Sequence, residues 1–261
     1  MLKVEITRID VSAKKASKMS DYVAEEKPLH IFLNRTHYAT IFCSPANMKE
    51  LAFGNVLSEG ILKSMEEVVE MTLNEDVCHI NLRTDVDLEK RLKLLKNLSR
   101  IVLSACGSKG PYHFSGKLPQ IESSLSVKAE VVLDCVNRLN LIGETFRKTG
   151  GVHVAAIYRS DGELVTFAED VGRHNAVDKV IGSCILEGIE VGSCFLALSG
   201  RLTSDIVLKA ARVGLPIVAS LAAAIDSGIA IASDAKLTLA GFVRGKRMNI
   251  YTYPNRILLE E

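Results

Sequence analysis

Residues 194–221, CFLALSGRLTSDIVLKAARVGLPIVASL, carry the reading that decides the fold. Phe195–Ser199 is a short apolar run, as expected of a strand buried on both faces. Gly200-Arg201-Leu202 turns the chain, and Thr203 can cap a following helix. That helix ends at Gly214-Leu215-Pro216, and Ile217–Leu221 is a second apolar strand. A strand, a helix of this length and another strand predict an α/β layer with a largely parallel sheet.

The alternation continues in both directions. Upstream, Ser126 can cap a long helix whose stripe is Val127, Val131, Cys135, Leu139, Ile142 and Phe146. Strands at Val152–Tyr158 and Leu164–Ala168 come next, then a helix from about Asn175 to Glu187 that stops at Gly188. Downstream, a helix follows Asp226 and a strand spans Leu237–Val243. The first half is less regular. It offers strands at Ile31–Leu33, Tyr38–Cys43 and Val77–Leu82, helices at Met48–Glu59 and Asp87–Leu98, and a short apolar strand at Ile101–Ala105. A Gly-, Ser- and Lys-rich segment running to Ser126 marks a boundary between residues 1–125, an N-terminal α+β part, and residues 126–261, the α/β part.

Composition sets the outer limits. A chain of 261 residues with 48% hydrophobic and 24% charged residues can bury the core of one large domain or two modest ones. A net charge of +1 gives no general attraction to nucleic acid or anionic membranes. The N-terminus, MLKVEITRIDVSAKK, lacks the apolar region of a secretory signal. The most hydrophobic run, Leu215–Ile225, contains Pro216 and is shorter than the ~20 residues of a spanning helix. A cytoplasmic protein is expected.

In open α/β sheets, ligands gather at the carboxyl ends of the strands, where helix N-termini also point. Three loops at those ends share a chemistry. Glu169-Asp170-Val171-Gly172-Arg173-His174-Asn175, Ser199-Gly200-Arg201-Leu202-Thr203 and Arg244-Gly245-Lys246-Arg247-Met248-Asn249 each combine a glycine with an arginine, which binds phosphate bidentately. One Gly-Arg turn is commonly plain surface, and Arg173 could simply pair with Asp170 or Glu169. Three on one edge describe a pocket for a pyrophosphate group. From Asp234 to Glu260 no acid intervenes, while Lys236, Arg244, Lys246, Arg247 and Arg256 do, a concentration that suits an anionic ligand.

The six cysteines include no Cys-x-x-Cys pair, and a disulfide framework is not expected in a reducing compartment. Cys135, Cys184 and Cys194 lie in apolar patterns and read as small buried hydrophobes. Cys43 and Cys78 lack convergent partners in sequence. Cys106 opens the loop Gly107-Ser108-Lys109-Gly110, where Lys109 can favour the thiolate. A thiolate on a flexible arm can collect a sulfur atom at one surface and carry it to another.

The whole chain resembles the formate dehydrogenase accessory sulfurtransferases, the FdhD/NarQ family. The resemblance rests on Glu26-Lys27-Pro28-Leu29, Leu57-Ser58-Glu59-Gly60-Ile61, Ser104-Ala105-Cys106-Gly107 and Thr149-Gly150-Gly151-Val152-His153. Its most specific stretches are Glu169 through Lys179, Ser199-Gly200-Arg201, and Gly241-Phe242 onward to Tyr251-Thr252. It implies a cytidine deaminase-like three-layer α/β/α domain beside a smaller N-terminal α+β domain, and a homodimer. It further implies that Cys106 receives persulfide sulfur from a cysteine desulfurase. The recipient is a molybdenum, or tungsten, bis(molybdopterin guanine dinucleotide) cofactor, bound as cargo before it enters formate dehydrogenase. The family's cofactor-binding segment maps onto Val243, Arg244, Gly245, Lys246, Arg247 and Met248, where GDP-like ligands should also bind. Arg173, His174, Ser199 and Arg201 are expected to complete that site.

Two departures from the family pattern stand out. Members commonly carry Cys-Gly-x-Cys-Gly, whereas Lys109 here replaces the second cysteine. One thiolate can hold a persulfide but cannot resolve it through an internal disulfide. A cofactor-binding chaperone without chemistry of its own is therefore the competing reading. The other departure is Asn55, where an aromatic residue is usual. A zinc hydrolase is rejected, because His174 is followed by Asn175-Ala176 and the later helix start holds no cysteine.

Overall fold

The computed structural model describes residues 1–98 and 118–259. The expected strand Ile101–Ala105 and Cys106 with its loop lie outside the described residues. The chain opens with a two-stranded antiparallel hairpin, β1 (Leu2–Asp10) and β2 (Lys15–Val23). Its strands are largely exposed and show no buried period-2 face, so its sequence carries no burial signal.

A four-stranded sheet follows, built from β3 (Lys27–Leu33), β4 (Thr36–Cys43), β5 (Val68–Asn74) and β6 (Val77–Leu82) in the order β4-β3-β6-β5. In β3, alternate residues Leu29, Ile31 and Leu33 are fully buried, as period 2 requires of a sheet with one covered face. The cover is α1 (Met48–Ser58), whose Leu51, Ala52, Phe53 and Val56 join that core. Helix α2 (Leu88–Leu98) closes this part, with Leu88 and Leu92 packed against it.

The second part centres on a six-stranded sheet. Its strands are β8 (His153–Arg159), β9 (Leu164–Asp170), β10 (Cys194–Leu198), β11 (Ile217–Ser220), β12 (Thr238–Arg244) and β13 (Arg247–Thr252), ordered β13-β12-β11-β10-β8-β9. One face packs on α5 (Arg173–Leu186), α6 (Ser204–Arg212) and α7 (Asp226–Asp234). The other packs on α3 (Ala129–Ile142) and α4 (Glu144–Thr149). The near-continuous burial of β10 and β11 follows from this double cover.

Two sequence expectations are corrected. The sheet is mixed, not largely parallel: β10–β11 and β11–β12 are parallel, but β8 runs antiparallel to both neighbours and β13 to β12. Hairpin connections, unlike helical crossovers, reverse the strand. Nor does Ser126 cap a long helix. Val127–Lys128 forms a short strand, β7, paired with β14 (Ile257–Leu258), and α3 starts at Ala129. The stripe is then broken at Gly143, whose extended backbone separates α3 from α4.

The two parts meet along α1 and α5. A Cβ built on Gly54 would lie 1.8 Å from the Asp178 carbonyl oxygen, and one on Gly182 2.0 Å from the Glu50 oxygen. The glycines therefore let two helix backbones touch. Beside this crossing, Asp178 accepts hydrogen bonds from Ser58 Oγ (2.6 Å), Lys209 Nζ (2.9 Å) and Asn55 Nδ2 (3.0 Å). Asn55 thus serves the joint. Lys209 is almost fully buried and also pairs with Glu59 at 2.7 Å.

Candidate functional site

Because β9 runs parallel to β10, β11 and β12, the loops after all four strands emerge on one edge of the sheet, where β8 also begins. Side-chain and backbone hydrogen bonds sew these loops together. Ser220 Oγ donates to the Gly200 carbonyl at 2.6 Å and accepts from Ala222 N at 3.0 Å. Phe242 N donates to the Ala222 carbonyl at 2.9 Å, and Leu202 bridges to Ala224. The edge is thus a fixed platform rather than a set of free loops.

The turn after β9 divides its labour. Glu169 accepts the Phe146 and Thr145 amides at 2.6 and 3.0 Å, capping α4 from outside the helix. Asp170 is fully buried and binds Lys179, Ser44 N, Gly172 N and Asn175 Nδ2. With its acceptor sites filled by the fold, Asp170 organises the turn instead of meeting a ligand. Arg173 and His174 face the edge, each partly exposed. His174 Nε2 hydrogen-bonds Asp205, a residue of α6 that no motif or spacing singles out.

Ser199 and His153 sit together at the start of β8. Ser199 Oγ accepts from Val154 N at 3.0 Å and lies 3.4 Å from His153 Nδ1. Burial lowers the His153 pKa, and the charges of Arg173, His174 and Arg201 lower it further. His153 is therefore a neutral imidazole among cations. Arg201 is exposed.

The third loop is the β12–β13 hairpin. Gly245 takes φ +61° at its tip, with no atom near enough to touch an added Cβ. The glycine serves the two-residue turn between Arg244 and Arg247. At Gly200 the reason is different, since a Cβ there would come within 3.0 Å of the Arg173 Cβ. Arg244, Gly245, Lys246 and Arg247 are exposed, whereas Val243 is fully buried and Met248 packs on the same core. Any ligand contact of Val243 is consequently through its main chain.

A cleft of about 610 Å³ lies elsewhere, lined by Glu122, Ser123, Glu190, Gly192, Val213 and Gly214 among others. It opens near the amino ends of β10 and β11, opposite the Gly-Arg loops. Loop chemistry and charge, not concavity, mark the carboxyl edge. Among the described residues, no three His, Cys, Asp or Glu side chains gather to hold a metal ion, and no helix is long and apolar enough to cross a membrane.

The FdhD/NarQ family profile matches residues 24–258. The chain belongs to the FdhD/NarQ family. The matched span begins just after the β1–β2 hairpin and takes in both sheets that follow. Among FdhD/NarQ relatives, the sulfur carrier protein FdhD of Sulfolobus acidocaldarius is 36% identical over 98% of this chain and 98% of its own length. The protein of the same name from Bacillus subtilis is 32% identical, covering 92% of each chain. A crystal structure from Desulfotalea psychrophila, of a protein described as a candidate formate dehydrogenase accessory protein, superposes with a TM-score of 0.79 at 25% identity. That match covers 98% of this chain and 99% of that one.

Proposed function

We propose that this FdhD/NarQ chain is a sulfur carrier for formate dehydrogenase, moving persulfide sulfur on Cys106 to a bis(molybdopterin guanine dinucleotide) cofactor held at the carboxyl edge of the large sheet. The observation that carries the reading is the spread of cationic loops along that edge. Arg173 follows β9 and Arg244 ends β12, four strand spacings away, or ~19 Å at ~4.8 Å each. Arg201 lies between them. A single phosphate needs one such loop; a dinucleotide with separated anionic groups makes use of several.

The thiols support the assignment to Cys106. Burial raises the other five: Cys43, Cys78 and Cys135 are pushed up to about 11, Cys184 to about 12, and Cys194 upward as well. At neutral pH they remain protonated and enclosed, so none is a nucleophile. In the transfer, the Cys106 thiolate attacks the outer sulfur of the donor persulfide. The donor S–S bond breaks, its cysteine leaves as thiolate, and Cys106 becomes the persulfide.

The same reading takes residues 126–261 as a cytidine deaminase-like domain, which the double-faced helical cover of the sheet supports, and residues 1–125 as the smaller domain. It names a cytoplasmic homodimer, a cysteine desulfurase donor and a formate dehydrogenase client. Lys109, in place of a second loop cysteine, favours one alternative: a chaperone that holds the cofactor without carrying sulfur. Intact-protein mass spectrometry after incubation with desulfurase and cysteine separates the two. A gain of ~32 Da, one sulfur atom, is expected in wild type and not in Cys106→Ala. No gain in either protein, with a donor proven competent, leaves the chaperone.

A further inference from the structure

Two of the cationic loops meet through one carboxylate. Asp205, in the first turn of α6, accepts the hydrogen bond of His174 Nε2, and its Oδ2 lies 3.9 Å from Arg173 Nη2. Burial pushes the Asp205 carboxyl up, but the hydrogen bond and charge of His174, with the charge of Arg173 behind them, outweigh it and hold it well below the usual carboxylate range. Asp205 is therefore a full negative charge near neutral pH. It is also half-buried, where salt screens it weakly.

The pairing of Arg173 is incomplete. Its distance to Asp205 exceeds hydrogen-bond range, and its Nε is buried with no hydrogen-bond partner. The aliphatic stem of Arg173 lies against Gly200, whose missing side chain leaves it room. Around this group the edge is otherwise cationic, with Arg201 exposed nearby and Asp170 already taken by Lys179. Asp205, carried by α6, is thus an internal anion placed against Arg173 and His174 of the neighbouring loop.

A carrier must release its cargo as well as bind it. We propose that Asp205 is an affinity- and specificity-setting residue of the anion site, competing with the phosphate groups of the cargo for Arg173 and His174 so that cargo is held loosely enough to be handed on. This rests on the anion-site reading above. A phosphate that reaches Arg173 meets a fixed like charge on the far side of the guanidinium, and like charges across a weakly screened gap lower affinity.

Calorimetric titration of the full-length protein with guanosine diphosphate tests this. Asp205→Asn and Asp205→Ser are each expected to bind about tenfold more tightly than wild type, chiefly through slower dissociation. Asp205→Glu, which keeps the charge, should tighten binding far less, and Arg173→Gln should weaken it. Unchanged or weaker binding by folded Asn and Ser variants overturns the role of Asp205 and leaves the anion site standing. If neither variant folds, Asp205 is structural and the proposal fails. Absence of binding in wild type and all variants, or wild-type affinity in Arg173→Gln, overturns the site reading and this proposal with it.

Discussion

Lys179 and Asp170 form an ion pair, Nζ to Oδ2 at 2.7 Å, with both side chains wholly buried. Lys179 also donates to the carbonyls of Ser44 (2.9 Å) and Glu169 (3.2 Å). The pair thus ties β9 and α5 to the segment that leads into α1. Loss of one partner strands the other charge in the interior, at a cost of about 3–5 kcal/mol. Lys179→Met should show that loss in urea unfolding. Asp170→Asn/Lys179→Met should lose less than the sum of its two single variants, and strict additivity would mean that the pair is not coupled.

The α1–α5 crossing sets a second expectation. Gly54→Ala places a methyl group 1.8 Å from the Asp178 carbonyl oxygen, and that neighbour is helix backbone that cannot rotate away. Overpacking of this kind costs about 1–3 kcal/mol or more, against the small gain in helix propensity that alanine brings. A lowered midpoint in thermal unfolding is expected. A variant as stable as wild type would mean that the helices part freely.

Thiol titration reads the cysteines directly. With five thiols buried and raised, a neutral aromatic disulfide reagent at pH 8 should modify a single thiol quickly in the native protein, and none in Cys106→Ala. Unfolding should expose six in wild type. Rapid labelling of a folded Cys106→Ala variant would place a reactive cysteine elsewhere.

Stability should fall with acid in two stages. His153 is lowered from its ordinary 6.5 by burial, then by Arg173, His174 and Arg201. The unfolded chain therefore takes up that proton first, and the contribution of His153 is present above pH ~6.5 and lost as pH falls through the folded value. Asp205 and Glu59 are also depressed, as the cations paired with them outweigh burial. Their contributions are present above pH ~4 and lost below it. Differential scanning calorimetry of wild type and His153→Gln should show the variant missing the first stage. Parallel decline of both proteins between pH 7 and 5 would assign that stage to other groups.

Much of the large sheet was legible in the residues. Apolar runs at 195–199 and 217–221, and the helices after Thr203 and Asp226, follow from local periodicity and turn residues. The structure sets their bounds at Cys194–Leu198, Ile217–Ser220, Ser204–Arg212 and Asp226–Asp234. Local periodicity was no guide to the first hairpin or to β13. The hairpin Leu2–Val23 is largely exposed, and the basic residues that open β13 give it the look of a binding loop.

By itself, then, the sequence determined the inner strands of the large sheet and the helices that follow them, that three Gly-Arg turns follow strands, and that Cys135, Cys184 and Cys194 are buried. All of these are set by residues a few positions apart. Only the tertiary structure decided that β8 lies antiparallel between β9 and β10, that Asp170 belongs to Lys179 and Ser44, and that His174 belongs to Asp205. The Ser44–Asp170 and His174–Asp205 partners stand 126 and 31 residues apart. A charge declares its type in the sequence, but the partner that satisfies it is chosen by which distant segments the sheet order brings within a few ångströms.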